Sequence, residues 1–342
     1  MKNLSITEKI ILIINYVAAL WLAVAFITPH LPSGFLPILS LNSLIFPFLV
    51  LINILFLIYW LVKLKKQLFI SLLVLLLNYG NLKALYQWDG KHPIEPKGFS
   101  LMSYNVRLFN AYHWIKKKGV NVDISNYIKD QFPDILVLQE FKTDKQTDFL
   151  QYRYKHIVLK GKKRKAGLAI FSKYKIINQG NLDFQDTYNN AIWADIVIKK
   201  DTLRVYNVHL QSYKIVKPEN LVEQDKSKVR NKLQKVFKQQ YQQAERIAGH
   251  AEKSPYPVVI AGDFNNTAFS APYRILKANK TDAFVDAGEG FGFTWRYKWV
   301  PLRIDFILPN EKKMQVLQFE TLNHFRYSDH YPIRALLKFR EQ

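Results

Sequence analysis

The sequence predicts an α/β domain carried behind an all-α transmembrane segment. Three observations predict it. Long apolar runs fill the first ninety residues, short apolar runs that each end in a polar residue recur from Phe99 onward, and an amphipathic helical pattern interrupts them through Leu233, Val236, Phe237, Tyr241, Ala244 and Ile247. Runs of about 20 apolar residues match a hydrocarbon core of ~30 Å. Runs of about four to eight bounded by loop formers read as buried strands.

Taken in order, Ile10 to Thr28 holds no charge, Ile38 to Val62 holds none, and Leu68 to Leu82 is a shorter run interrupted by Asn78 and Gly80. Helices are expected over 10–28, 38–62 and 68–86, which makes 1–86 the transmembrane region. A cleaved signal peptide is the competing reading, but no small-x-small pattern follows Ala25 and further apolar runs come after it. Lys2 and Lys9 flank the first run, Pro29 to Pro37 carries no Lys or Arg, and Lys63, Lys65 and Lys66 separate the second run from the third. Positive loops stay cytoplasmic. Three spans therefore put the N-terminus inside and everything after the third helix outside, whereas two spans would leave the domain in the cytoplasm. The expectation is a multi-pass protein of the cell (inner) membrane with its domain on the extracytoplasmic side. Residues 87–98, which include Gly90, Pro93, Pro96 and Gly98, are the expected linker to a domain over 99–342.

Within that domain Phe99 to Val106, Asp134 to Leu138, Leu203 to Val208, Val258 to Ala261 and Ile304 to Leu308 are the expected strands. A carboxylate, amide or imidazole at a strand tip stands on a rigid support. Asn105 ends the first run, Glu140 follows the second, His209 the third, and Asp263 and Asn265 follow the fourth through Gly262. Each has an ordinary reading of its own: Asn105 as a turn or cap residue, Glu140 as the polar start of a loop, His209 as a satisfied half-buried histidine. As an ordered set, hard oxygen donors with two imidazoles and no thiol suit Mg²⁺ (or Mn²⁺) and a phosphate ester. The chain has no cysteine, which excludes disulfides and thiolate metal sites.

Six stretches carry a resemblance: Ser103-Tyr104-Asn105-Val106-Arg107, Leu138-Gln139-Glu140, Tyr206-Asn207-Val208-His209-Leu210, Gly262-Asp263-Phe264-Asn265-Asn266, Arg303-Ile304-Asp305-Phe306 and Ser328-Asp329-His330. Together they resemble the endonuclease/exonuclease/phosphatase (deoxyribonuclease I-like) superfamily of metal-dependent phosphoesterases. That superfamily includes pancreatic deoxyribonuclease, abasic-site endonucleases, bacterial sphingomyelinases and inositol-phosphate phosphatases. The resemblance runs from about Phe99 to Phe339, with Gly167 to Lys173 similar to the family's third strand and Gly292-Phe293-Thr294-Trp295 to the segment before its Arg-Ile-Asp strand. It implies a four-layer α/β sandwich, two mostly antiparallel sheets packed face to face and flanked by helices. It also implies roles. Glu140 is the principal metal ligand, with Asn105 near the metal or phosphate and Asp329 a further ligand or orienter. Asp263 orients or deprotonates the attacking water, and Asn265 holds a phosphate oxygen. His330 touches the phosphate with Asp305 fixing its tautomer, and His209 protonates the leaving oxygen. Abasic-site endonucleases carry tyrosine where His209 stands, which sets a DNA-repair assignment aside. The deoxyribonuclease branch pairs this histidine with a glutamate on the preceding strand, but the corresponding region here, Lys162 to Gly167, is basic.

Charge narrows the substrate class. The chain is +22, and since residues 1–90 hold six lysines and two acids, residues 91–342 carry the remaining +18. Such a field attracts polyanions: nucleic acid, phospholipid headgroups, or the anionic face of a bilayer. The insertion after His209 concentrates this charge, with Lys214, Lys217, Lys226, Lys228 and Arg230 either a clamp on substrate phosphates or a solvated helix face. Tyr273, Trp295, Tyr297 and Trp299 could stack on a base, sit at a bilayer interface, or be core. Three readings follow: a membrane-anchored nuclease-type phosphodiesterase, a phospholipid or inositol-phosphate phosphoesterase, and an inactive polyanion-binding module. The sequence points to no protein partner.

Overall fold

A computed structural model describes residues 4–31, 37–93, 97–143, 149–161, 165–185, 187–213, 226–297 and 300–340. The apolar runs form α1 (Ile6–Ile27), α2 (Asn42–Val62), α3 (Leu68–Leu77) and α4 (Tyr79–Leu85). α1 starts ahead of the expected Ile10 because Ser5 and Glu8 close a capping box on its first turn. The single helix expected over 68–86 is instead two, bent by 73° at Asn78. Asn78 donates from its side chain to the Val74 carbonyl (2.9 Å) and accepts from Asn81 (3.2 Å), a local pairing that competes with helix continuation. Ile6–His30 and Leu39–Val62 are long and apolar enough to cross a membrane, with a third span if the bent pair counts as one. A buried polar chain ties the helices together. Asn15 donates to Ser71 (2.7 Å), Trp60 donates to Asn15 (3.0 Å), and Asn53 donates to the Ala18 carbonyl (3.2 Å).

The domain follows in the order β1 (Phe99–Asn105), α5 (Val120–Gln131), β2 (Ile135–Phe141), β3 (Tyr154–Lys160), β4 (Ala166–Ser172), β5 (Lys175–Asn181), β6 (Asn190–Ile198), β7 (Asp201–His209), α6 (Lys226–Glu252), β8 (Val258–Asp263), α7 (Ala271–Lys277), α8 (Ala283–Ala287), β9 (Trp295–Tyr297), β10 (Val300–Leu302), β11 (Asp305–Pro309), β12 (Met314–Thr321) and β13 (Ile333–Phe339). One sheet runs β12-β13-β1-β2-β4-β3 and the other β11-β8-β7-β6-β5, with β9 and β10 a separate hairpin. Neighbours in the two sheets are antiparallel except β1 with β2 and β7 with β8.

The layers explain the continuous apolar runs. Leu101, Val137 and Ile170 of the first sheet meet Ala194, Val205 and Val259 of the second in the central core. Alternate residues Met102, Leu136 and Leu138 face α5 through Ile124 and Ile128. On the far side Tyr206, Val208 and Ile260 face α6 and α7 through Ala244, Ile247 and Leu276. Strands covered on both faces must be apolar at successive positions. This is the four-layer sandwich expected.

The domain sits on one end of the helical segment. Ser43 at the start of α2 donates to Asn266 (2.8 Å), its carbonyl accepts from Thr267 (2.7 Å), and Phe46 stacks on Phe269 with centroids 4.1 Å apart. Arg274 donates to the Pro29 carbonyl (2.8 Å), and Arg303, held by Asp282 (2.8 Å), donates to the Ala84 carbonyl (3.1 Å). The turn after α2 lies at the other end, where Leu4, Leu12 and Trp60 cluster with Leu68. After α4, Gln87 pairs with Gly290 and Lys91 with Asp286 (2.8 Å), which fastens the start of the expected linker to the domain.

Candidate active site

The site grows out of the strand alternation. Side chains two residues apart share a face. On the inner faces the positions that give Leu101, Val137, Val205, Ala261 and Ile307 to the core are followed toward one end by Ser103, Gln139, Asn207, Asp263 and Asp305, and then by Asn105 and His209. The parallel pairs bring the carboxyl ends of β1, β2, β7 and β8 together, and antiparallel β11 starts there. In register, Asn105 lies opposite Gln139, and Asp263 lies between His209 and Asp305. His330 arrives just before β13 and bridges Trp295 of β9.

Asp263 is the hub. Its Oδ2 accepts from Asn105 Nδ2 at 2.9 Å and lies 3.5 Å from His209 Nε2 and 3.7 Å from His330 Nε2. Its Oδ1 accepts from the Asn265 amide at 2.7 Å. Asn265 turns back at φ 48°, and its side chain donates to the Leu210 carbonyl (2.9 Å). His330 Nδ1 lies 2.9 Å from Asp305 Oδ2, so the ring is fixed from behind. The Thr294 hydroxyl in turn accepts from the amides of Ile304 and Asp305, each at 3.0 Å. Gly262 lets β8 reach this position. Its φ is +140°, and a Cβ there would stand 2.0 Å from the Val208 carbonyl oxygen.

Charge is unevenly distributed. Burial pushes the Asp263 carboxyl up to about 7, His330 opposing and Asp305 adding to the shift. Burial pushes the His330 imidazole down, but Asp305 and then Asp263 outweigh it and hold the ring near 10. The two form an acid and a base whose environments move them toward neutral pH and away from it respectively.

Glu140 is placed by a bulge. Leu138 pairs with Ala169 but Phe141 with Gly167, and the extra residue puts Glu140 at φ 51°, out of phase with the core. It accepts a long hydrogen bond from Asn105 (3.5 Å), and burial, then Asp329, raises its carboxyl. A carboxylate that burial and a neighbouring acid hold back from ionising would be relieved by a hard cation, and the oxygen donors here fit Mg²⁺ or Mn²⁺. Asp263, Asp305 and His330 also offer ligand atoms within 4.8 Å of one another. In that group Asp305 and the imidazole already engage each other, and Glu140 and Asp329 stand beside it as further oxygen donors. Arg107 Nε, 3.4 Å from Asp329 Oδ2, closes that side.

The structure thus brings together Asn105, Glu140, His209, Asp263, Asn265, Asp305, Asp329 and His330. Trp295 is half-buried beside His330. Lys214 and Lys217 lie outside the described residues, Lys226 begins α6, and Lys228 and Arg230 are exposed on its first turns. Sequence reading missed the support beneath the site. Gln139 donates to Asn207 (2.7 Å), and Asn207 donates to the Leu138 and Ala169 carbonyls (2.8 and 2.9 Å), joining the two sheets. Gln240 of α6 donates to the carbonyls of Gln211 (2.7 Å) and Asn265 (3.1 Å). Gln139 and Asn207 stand inside the quoted motifs and betray themselves as polar residues at core parity. Gln240 has no such signal.

Fold and site define a class, the two-sheet phosphoesterases with carboxylates and histidines at one end of the sandwich. Residues 102–330 match the Endonuclease/Exonuclease/phosphatase family, and the chain belongs to that family. Residues 8–85 match a domain of unknown function. No curated protein matches the sequence. Among solved structures the chain is similar to the human nocturnin catalytic domain with bound sulfate, at 17% identity and TM-score 0.54 over 73% of this chain and 97% of that one. It is similar to D. rerio TDP2 complexed with a single-strand DNA product, at 18% identity and TM-score 0.51 over 71% and 99%. It is also similar to an endonuclease/exonuclease/phosphatase family protein from Bacteroides thetaiotaomicron, at 15% identity and TM-score 0.51 over 71% and 98%. These likenesses are of fold.

Proposed function

We propose that the protein is a membrane-anchored, divalent-metal-dependent phosphodiesterase acting on nucleic acid. The observation that carries the reaction is the convergence of Asp263, His209, His330 with Asp305, and Asn265 at one end of the sandwich, beside an acidic pair. Asp263, with a carboxyl near 7, orients the attacking water and takes its proton. His330, held protonated by Asp305, and Asn265 face the oxygens on which charge develops during in-line attack. His209 gives a proton to the leaving oxygen. Bound through Glu140, Asp329 and the Asn105 amide, Mg²⁺ or Mn²⁺ would neutralise phosphate charge. Catalysis rather than mere polyanion binding is favoured because binding needs charge and no such constellation.

The charge of +18 over residues 91–342 supports a polyanionic substrate, and D. rerio TDP2, with the same fold, has been captured with a DNA product. A lipid-headgroup substrate is the second reading. It is favoured by the two hydrogen bonds between Ser43 of α2 and the residues that follow the catalytic turn, Asn266 and Thr267, which hold the site beside the anchor. The extracytoplasmic side follows if α3 and α4 together return the chain across the bilayer. The domain packs on the helix end opposite the turn that carries Lys63, Lys65 and Lys66, which supports that topology. The full chain in detergent, given Mg²⁺ and either single-stranded oligonucleotides or phospholipid vesicles, tests these readings. Cleavage of the oligonucleotide is expected, and cleavage of lipid alone would move the assignment to membrane-lipid turnover.

A further inference from the structure

The loop after β1 carries two partly exposed aromatic rings next to the site. Arg107, Leu108, Phe109 and Asn110 follow one another at φ 44°, 53°, 52° and 61°, and none is glycine. Such a run persists only where its surroundings hold it, and held backbone of this kind clusters at ligand sites. Phe109 is buried edge-on against Phe141 with centroids 5.8 Å apart. Asn110 clamps the Ile115 backbone in both directions, donating to its carbonyl (2.8 Å) and accepting from its amide (3.0 Å). Between these clamps Tyr112 and Trp114 stand 47% and 43% exposed, their rings 5.1 Å apart.

Arg107 connects the rings to the reaction. Its guanidinium lies 4.3 Å from the Trp114 ring centroid, and its Nε lies 3.4 Å from Asp329, the neighbour of His330. A phosphate facing His330 would therefore lie one arginine side chain away from an aromatic surface. The loop continues through Lys116, Lys117 and Lys118. Lys116 and Lys118 are exposed, and Lys117 is paired with Asp123 (2.8 Å).

We propose that Tyr112 and Trp114, braced by Arg107, form a stacking platform for an unpaired nucleobase next to the scissile phosphate. The proposal rests on the nucleic-acid reading above and names its first base subsite. Aromatic faces accept any base and are sequence-tolerant, while the lysines track the backbone. A quaternary ammonium headgroup, the other ligand that seeks aromatic faces, is disfavoured because a guanidinium already covers Trp114 and Lys116 and Lys118 repel a cation.

The test uses the full chain in detergent with two single strands of equal length, one of normal DNA and one carrying abasic tetrahydrofuran residues throughout. Steady-state cleavage is measured with Mg²⁺, and equilibrium binding with EDTA, for wild type, Trp114→Ala, Trp114→Phe and Tyr112→Ala. Trp114→Ala should raise KM and Kd for the base-bearing strand by roughly 5- to 100-fold, the range expected of one base–aromatic stack. The effect should fall on KM more than on kcat, be largely rescued in Trp114→Phe, and be absent on the abasic strand. Wild-type KM and Kd for Trp114→Ala on the normal strand would overturn the platform and leave the nuclease reading standing. Equal loss on both strands would also overturn it, since the rings would then act on loop or backbone. Cleavage of neither strand by wild type, with turnover of choline lipid lost in Trp114→Ala, would overturn both readings.

Discussion

Replacing Gly262 with alanine should damage the fold and the site together, and the structure sets the scale. The new Cβ would lie 2.0 Å from the Val208 carbonyl oxygen and 2.8 Å from its amide nitrogen, both backbone atoms of the paired strand β7. Holding a non-glycine residue at φ +140° costs about 1–3 kcal/mol, and pushing apart a packed pair costs about 1–3 kcal/mol more. A loss of about 2–6 kcal/mol corresponds to roughly 5–20 °C in melting temperature for a domain of this size. Because β7 and β8 deliver His209 and Asp263 in register, any shift that relieves the clash also separates those two side chains. Gly249 supplies the matched control. It lies within α6, an alanine Cβ there meets nothing within 4 Å, and Gly→Ala in a helix should stabilise by about 0.5–1 kcal/mol. The assay is thermal melting of both variants in detergent, followed by turnover. Gly262→Ala melting within about 2 °C of wild type with full activity would refute the argument that this glycine permits the close approach on which the site depends.

Three further outcomes follow from the same geometry. In EDTA, stability should fall as pH rises. Burial raises Asp263 to about 7, so the folded chain keeps a proton there that the unfolded chain has lost, and stability declines from about pH 4 to 7. The raised His330, where Asp305 and Asp263 outweigh burial, adds stability that is full below about pH 6.5 and is lost through about pH 10. Asp263→Asn should flatten the lower part of the melting-temperature profile, and an unchanged slope would count against the assignment. Asp305→Asn should cut kcat by about 10²–10⁴-fold with KM little changed, because the tautomer and charge of His330 depend on it; a kcat within about threefold of wild type would remove Asp305 from its positioning role. Glu140→Gln should raise the Mg²⁺ concentration for half-maximal activity by about 10–100-fold, measured by metal titration, whereas the same titration curve would place the cation elsewhere.

Much of this was legible in the sequence because the site obeys strand parity. Asn105, His209, Asp263 and Asp305 interrupt or end apolar runs at positions where an inner-face side chain must fall. The amphipathic helix through Val236, Phe237, Ala244 and Ile247 was legible for the same reason at a different period. What could not be read has equally physical causes. The bulge that turns Glu140 toward the site depends on pairing with β4, which no local signal encodes. The bend at Asn78 divides a run whose hydropathy looks continuous, though Asn78 and Gly80 marked the place. The contact of Ser43 with Asn266 joins residues 223 positions apart and is purely tertiary. Trp114 reads in sequence like any aromatic ahead of a lysine run, and only its exposure beside Arg107 and Asp329 singles it out.

The most direct test of the central claim is single-strand cleavage by the full chain in detergent, with Mg²⁺ and with EDTA, for wild type and Asp263→Asn. The expected result is cleavage that needs the metal and falls by orders of magnitude in the variant while its melting profile stays cooperative. Cleavage that survives Asp263→Asn, or that proceeds equally in EDTA, would contradict it.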